Sequence, residues 1–183
     1  MTPQERPWIR VFLDLQEVEL LSGGEVKQRF PASTAANGAG EEDGSFRTPR
    51  GWHVVRARIG GTAPTGAVFR GRRWTGEICT PERYQEEPNR DWILTRILWL
   101  CGKEPGRNRF GRVDTMRRYI YFHGTPDAVA LGEPGSRGCI RMRNQQIITL
   151  FDVVPAGTPV WIGESGSAPG EPDPIVFPEL ESV

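Results

Sequence analysis

The chain has 183 residues, and its 23 lysine and arginine residues balance 23 aspartates and glutamates. Such a length fits one domain with a real core, and the missing net charge argues against a polyanion-binding surface. No basic tract interleaved with aromatics suggests nucleic-acid binding, and the longest apolar runs, such as Ile97-Leu98-Trp99-Leu100-Cys101, fall far short of the roughly 20 residues a membrane span needs.

Alternating apolar residues from Ile9 to Leu15 have the period of a half-buried strand. Segments 16–21 and 25–30 flank Ser22-Gly23-Gly24, which reads as the turn of a hairpin. Trp52 to Ile59 supplies a further strand, ended by Gly60-Gly61. Residues 62–91 are polar and rich in Gly, Pro, Arg and Glu, and read as a long excursion, either an insertion or a lid. Trp92-Ile93-Leu94 and Ile97 to Leu100 are apolar enough for a buried strand or a short helix, and the surrounding strands favour a strand. A loop over 103–114 leads to the β-prone run Tyr119-Ile120-Tyr121-Phe122, so His123 falls at a strand end. Asn144 is placed to cap a helix over 145–151 whose buried face is Ile147, Ile148, Leu150 and Phe151. Pro155 to Pro159 turns the chain into a last strand, Val160-Trp161-Ile162. Beyond it, Gly, Ser, Pro and Glu prevail apart from Ile175-Val176-Phe177, so the reading is a domain over 1–163 and a flexible tail over 164–183.

Cys79, Cys101 and Cys139 lack the Cys-x-x-Cys spacing of a metal site, and with two histidines in the chain neither metal nor cofactor is expected. Cys79 and Cys101 either bridge or stand as free thiols. The amino terminus shows no apolar signal core.

Chemistry concentrates in His123-Gly124-Thr125 and, after a connector, Ser136-Arg137-Gly138-Cys139-Ile140-Arg141-Met142. A cysteine reacts as its thiolate, so it needs a nearby base and small neighbours that admit a carbonyl. Cys139 beside Gly138, with His123 upstream, meets both needs, whereas His53 has no motif around it and reads as structural. In isolation a cysteine between apolar residues is more often packing, and the glycine-flanked turn is what favours chemistry here.

These two stretches resemble the L,D-transpeptidase (YkuD-type) catalytic domain, whose pattern is His-Gly, a connector, then Ser-x-Gly-Cys-hydrophobic-Arg/Asn. The resemblance extends over most of residues 8 to 162 and includes Thr48-Pro49-x-Gly51, Thr95 to Leu100 and Gly157-Thr158-Pro159-Val160. Arg137 stands where that family often has a second histidine. The resemblance implies a mainly β, sandwich-like domain with a short helix after the nucleophile. It implies Cys139 as nucleophile and His123 as base, with Gly124 orienting the imidazole through its carbonyl. The amides of Gly138 and Cys139 are the oxyanion candidates, and Ser136 is expected to bond within the turn. Arg141 and Arg137 are candidate substrate contacts, with Tyr119, Tyr121 and Trp99 as candidate cleft walls.

The implied partners are peptidoglycan stem peptides as acyl donor and acceptor, and carbapenem inhibitors. Transfer of the acyl group to a second stem gives a 3-3 cross-link, and transfer to water makes an L,D-carboxypeptidase. An unrelated cysteine amidase and a non-catalytic wall-binding module are the rival readings. The resemblance places such a protein in the cell envelope or periplasm, while the missing signal core leaves a cytoplasmic location open.

Overall fold

The computed structural model describes residues 6–173. Ten strands form one curled sheet: β1 (Trp8–Phe12), β2 (Glu17–Ser22), β3 (Glu25–Pro31), β4 (Gly51–Ile59), β5 (Ala67–Arg70), β6 (Arg73–Ile78), β7 (Leu94–Gly102), β8 (Tyr121–Thr125), β9 (Ile140–Arg143) and β10 (Pro159–Gly163). Two helices, α1 (Pro81–Glu86) and α2 (Asn144–Val153), complete the described elements with short 3₁₀ turns at Gly111–Val113 and Ser165–Ser167.

The strand path runs β3-β2-β1-β10-β4-β7-β5-β6, and β8 joins the other edge of β7 and pairs in parallel with β9. Alternation then sorts the side chains. Leu98 and Leu100 of β7, Phe122 of β8, and Ile140 and Met142 of β9 enter a core shared with Ile9, Val11, Phe30, Val160 and Ile147. Strands β1 to β4, β7 to β9 and β10 share this one core, so the sheet curls around the inner face of α2. The opposite face of β7 and β8 carries Ile97, Trp99 and Tyr121, which pack with Phe69 of β5 and with Cys139.

Several boundaries differ from expectation for identifiable reasons. β1 stops at Phe12 because the chain turns through Gln16 at φ 51°, whose side chain donates to Leu13 O and to Thr34 Oγ1 at 2.7 Å each. Leu15 is therefore exposed. β8 begins at Tyr121 because Tyr119 has φ 56° and closes a turn onto Met116 O. Asn144 does not cap α2. Arg143 occupies the cap position without a side-chain bond, and Asn144 Oδ1 accepts instead from Thr95 Oγ1. Ile148 is only half-buried on that helix. Segment 62–91 contains the β5–β6 hairpin and α1, whose Thr80 cap accepts from Arg83 N at 3.2 Å. Past β10, Ser165 N donates to Asp14 at 2.8 Å, so the start of the expected tail is tied to the domain. Ile175-Val176-Phe177 lies outside the described residues.

His53 is fully buried. Its Nδ1–H donates to Gly51 O and its Nε2 accepts from Thr115 Oγ1, each at 3.0 Å. Gly51 O can only accept, so Nδ1 carries a proton, and burial pushes the imidazole pKa down to about 4 against the Gly51 bond that raises it, which keeps the ring neutral at pH 7. The unfolded ring titrates near 6.5, so the stability this group confers is complete above that value and drains as pH falls toward 4. The loss should reach roughly 2 kcal/mol by pH 5. Urea midpoints measured between pH 7 and pH 5 should show that fall, and His53→Gln should be less stable at pH 7 with a flatter slope. An unchanged slope in the variant would assign the acid sensitivity elsewhere.

Candidate active site

The parallel pairing of β8 with β9 sets His123 opposite Arg141 and Phe122 opposite Ile140. Since side chains alternate along a strand, Tyr121 and His123 on β8 share one face with Arg141 on β9, and Cys139, two residues before Arg141, falls on the same side. All four line a cleft of about 700 Å³, together with Asp43, Phe46, Phe69, Arg72, Asp91, Arg118, Tyr119, Ser136 and Arg137. Trp99 is not on that wall. It lies half-buried one layer behind, donating its indole N–H to Met116 O at 3.2 Å and stacking beneath Arg72.

His123 is buried, and its Nδ1–H donates to Gly124 O at 2.7 Å. That bond fixes the tautomer and leaves Nε2 as the basic atom. Burial holds the imidazole pKa below its ordinary value, more strongly than the Gly124 bond and Asp91 raise it, so the resting ring is neutral. A side chain cannot replace Gly124, because an added Cβ would lie 2.3 Å from Asn144 Oδ1 and 2.9 Å from Leu94 O. The glycine thus admits α2 and β7 close to the histidine strand.

Cys139 Sγ sits 3.3 Å from Tyr119 O, to which the thiol donates, and accepts from Tyr121 N at 3.3 Å. Among the described residues the thiol's hydrogen bonds are these, and none joins it to His123. Burial pushes its pKa up to about 12, outweighing the Tyr121 amide that lowers it. Thiol and imidazole therefore share the cleft as a neutral pair rather than as thiolate and imidazolium.

The turn before Cys139 is tightly built. Gly138 has φ 128°, and an added Cβ there would crowd Ile120 Cδ1 at 3.1 Å and Arg47 O at 3.3 Å. Ser136 Oγ donates to Cys139 O at 2.6 Å and accepts from Gly138 N at 3.1 Å. The Gly138 amide is thereby engaged, which leaves the Cys139 amide as the candidate oxyanion donor of the two.

Arg141 is largely enclosed, with Nη1 donating to Gly135 O at 3.0 Å and Nη2 lying 3.7 Å from Asp91 Oδ1. Arg137 is exposed on the rim. Three further residues carry no motif and are visible only in the fold. Arg72, at the hairpin tip with φ 64°, donates to Tyr121 Oη at 3.1 Å and lies over the rings of Trp99 and Tyr119 at 4.7 and 4.8 Å. Arg118 binds Gly40 O, Glu41 O, Ser45 Oγ and Arg47 O, which holds the Asp43–Phe46 rim in place, and burial lowers its pKa. Asp91 brings a carboxylate to the cleft beside Arg141. Cys79, Cys101 and Cys139 are all free thiols. Among the described residues no group of three or more His, Cys, Asp and Glu side chains is placed to hold a metal ion, and no helix is long and apolar enough to cross a membrane.

A curled sheet that joins a His-Gly strand in parallel to a Ser-x-Gly-Cys turn over a shared cleft has the layout of a cysteine–histidine site. Comparison with known proteins makes the class specific. The L,D-transpeptidase catalytic-domain model matches residues 6–162, and the chain belongs to that family, known as YkuD, of peptidoglycan-related enzymes. A putative L,D-transpeptidase YkuD of Bacillus subtilis is 41% identical over 46 residues, which is 25% of this chain and 28% of that protein. An L,D-transpeptidase structure from Xylanimonas cellulosilytica superposes with a TM-score of 0.53 at 20% identity, covering 88% of this chain and 62% of that one. L,D-transpeptidase 3 from Mycobacterium tuberculosis, solved with a faropenem-derived adduct, gives 0.52 at 16% identity over 86% of this chain and 61% of its own. At these identities the structures establish the mainly β fold. The chain spans under two thirds of the length of each of these proteins.

Proposed function

We propose that this domain is a cysteine-dependent L,D-transpeptidase acting on peptidoglycan stem peptides in the cell envelope. The observation that carries the reading is the placement of Cys139 and His123 on one cleft face, with Gly124 O holding Nδ1 so that Nε2 is the available base. A stem peptide entering the cleft draws the thiol from Tyr119 O. Cys139 Sγ attacks the carbonyl of the diamino acid that precedes the terminal D-residue, and its proton passes to His123 Nε2. The Cys139 amide meets the oxyanion. Collapse of the intermediate breaks the peptide bond, and His123 returns the proton to the departing D-alanine nitrogen, leaving a thioester on Cys139. An amine of a second stem then attacks the thioester, its proton passing to His123, and the thiol is restored with a 3-3 cross-link formed. Attack by water gives carboxypeptidase activity and attack by a D-amino acid gives exchange. In this reading the β5–β6 hairpin of 62–91, pinned by Arg72, roofs the cleft and keeps water from the thioester.

The testing experiment incubates the protein with a purified tetrapeptide stem and, separately, with faropenem, followed by mass spectrometry. The expected results are loss of D-alanine with dimer formation and a covalent adduct mapped to Cys139. Neither product from folded protein would return the domain to a binding module, and a product formed without modification of Cys139 would point to another amidase chemistry.

Arg141 is proposed to hold a substrate carboxylate, for which it must exchange the loose 3.7 Å contact with Asp91. The grip would be bidentate, so lysine should replace it poorly. Arg141→Lys is expected to lose about 1–3 kcal/mol of transition-state binding, the scale of hydrogen bonds to charged groups. Amidating the diamino-acid or terminal carboxylate that it holds should then cost that variant little more. A two-by-two comparison of kcat/KM measures this. Additive losses would leave Arg141 as the partner of Asp91 and Gly135 alone.

A further inference from the structure

We infer that Thr48, ninety residues before the nucleophile turn, is a positioning residue that aims the amide expected to receive the oxyanion. The inference rests on the reading of Cys139 as an acyl-accepting nucleophile. Thr48 is fully buried, and its main chain is fixed on both sides, with N donating to Gly38 O at 3.1 Å and O accepting from Gly40 N at 2.9 Å. Its hydroxyl accepts from Ala35 N at 3.0 Å. The hydroxyl proton is thereby directed to the other partner, Gly138 O, at 2.9 Å.

Gly138 O belongs to the same peptide plane as the N–H of Cys139. A trans peptide sets its C=O and N–H antiparallel, so whatever holds one aims the other. Thr48 pulls the carbonyl toward the buried side of the turn, and the Cys139 N–H is turned the opposite way, to the side where Sγ lines the cleft. The constraint is needed because Gly138, at φ 128°, lacks the steric limits that would hold this plane in an ordinary residue. Ser136 fixes the preceding and following planes, through Gly138 N and Cys139 O, and Thr48 supplies the one between them.

Thr48→Val keeps the shape and removes the donor. We expect it to slow acylation of Cys139 by faropenem by roughly 10- to 100-fold, below the full loss of an oxyanion donor because the amide remains but is misdirected. With stem peptide the fall should lie in kcat rather than KM. Alkylation of the same thiol by iodoacetamide proceeds by displacement at carbon and forms no oxyanion, so its rate should not change. Thr48→Ser restores the hydroxyl and should acylate within about threefold of wild type. Thr158→Val, which removes a buried hydroxyl bonded to Pro155 O far from the turn, controls for a general loss of stability and should acylate normally. Equal acylation by Thr48→Val and wild type, a parallel fall in acylation and alkylation, or a Thr48→Ser protein as slow as the valine variant would each overturn the inference. Wild-type protein that forms neither adduct nor product would instead remove the reading of Cys139 itself.

Discussion

Replacing Cys139 by alanine is expected to abolish turnover of tetrapeptide stems, by at least about 10³-fold, with the melting temperature nearly unchanged. The thiol is the atom that forms the thioester in the proposed reaction, and no neighbouring group replaces it. Structurally the change is small. Cys139 is unbridged, and its hydrogen bonds with Tyr119 O and Tyr121 N join it to main-chain groups of a turn held by other contacts. The measurements are D-alanine release and thermal unfolding on the same preparation. Wild-type turnover in Cys139→Ala would sink the mechanism outright, because the acyl-enzyme could not form.

The second large effect concerns His123. His123→Ala should lower kcat/KM by roughly 100-fold or more at pH 7, the usual scale of general acid–base catalysis. The resting state makes the pH profile informative. With the imidazole held below its ordinary pKa and the thiol pushed up to about 12, the wild type at neutral pH has a neutral base facing a neutral thiol. Activity should fall only as pH drops through the lowered His123 value, below 6.5, where the base becomes protonated. Between there and mildly alkaline pH it should be flat. Without the base, reaction depends on the scarce thiolate, so the His123→Ala rate should climb with pH where the wild-type rate does not. A variant profile parallel to that of the wild type would show that His123 does not accept the thiol proton. A preformed thiolate–imidazolium pair would be betrayed by fast alkylation of the wild type at pH 6, which the neutral pair does not allow.

What the sequence disclosed and what it withheld divide along the range of the interactions. The Ser22-Gly23-Gly24 hairpin, the strand after Gly51 and the strand through Ile97–Leu100 depend on local alternation and on turn residues, and each appears close to its expected place. The His-Gly and Ser-x-Gly-Cys stretches were legible because their chemistry needs particular residues at consecutive positions. Trp99 was misjudged as a cleft wall because an aromatic on a strand reveals its face but not what covers that face, and here Arg72 does. Asn144 has the residue type of a helix cap, yet the close approach permitted by Gly124 diverts its oxygen to Thr95. Arg72, Asp91 and Arg118 are ordinary charged residues in sequence. Their place in the cleft follows from the hairpin returning over β7 and β8, which no local pattern encodes. The neutral resting pair was equally hidden, since it depends on burial and on a left-handed turn at Tyr119.

The position of β10 bears on how the chain must be made. This last strand lies between β1, with which it pairs in parallel, and β4. Until Pro159–Gly163 has left the ribosome, β1 and β4 have no strand between them, and the amino-terminal hairpin meets the site only through the segment that follows it, where Ser33 bridges Arg141. The fold therefore closes late in synthesis, and a pairing of such large sequence separation carries a loop-closure cost that slows folding. A nascent chain halted before Val160 would expose the facing edges of β1 and β4 as templates for intermolecular association. The nucleophile is thus synthesised some twenty residues before the strand that completes the sheet, although the residues packed around it come from other elements.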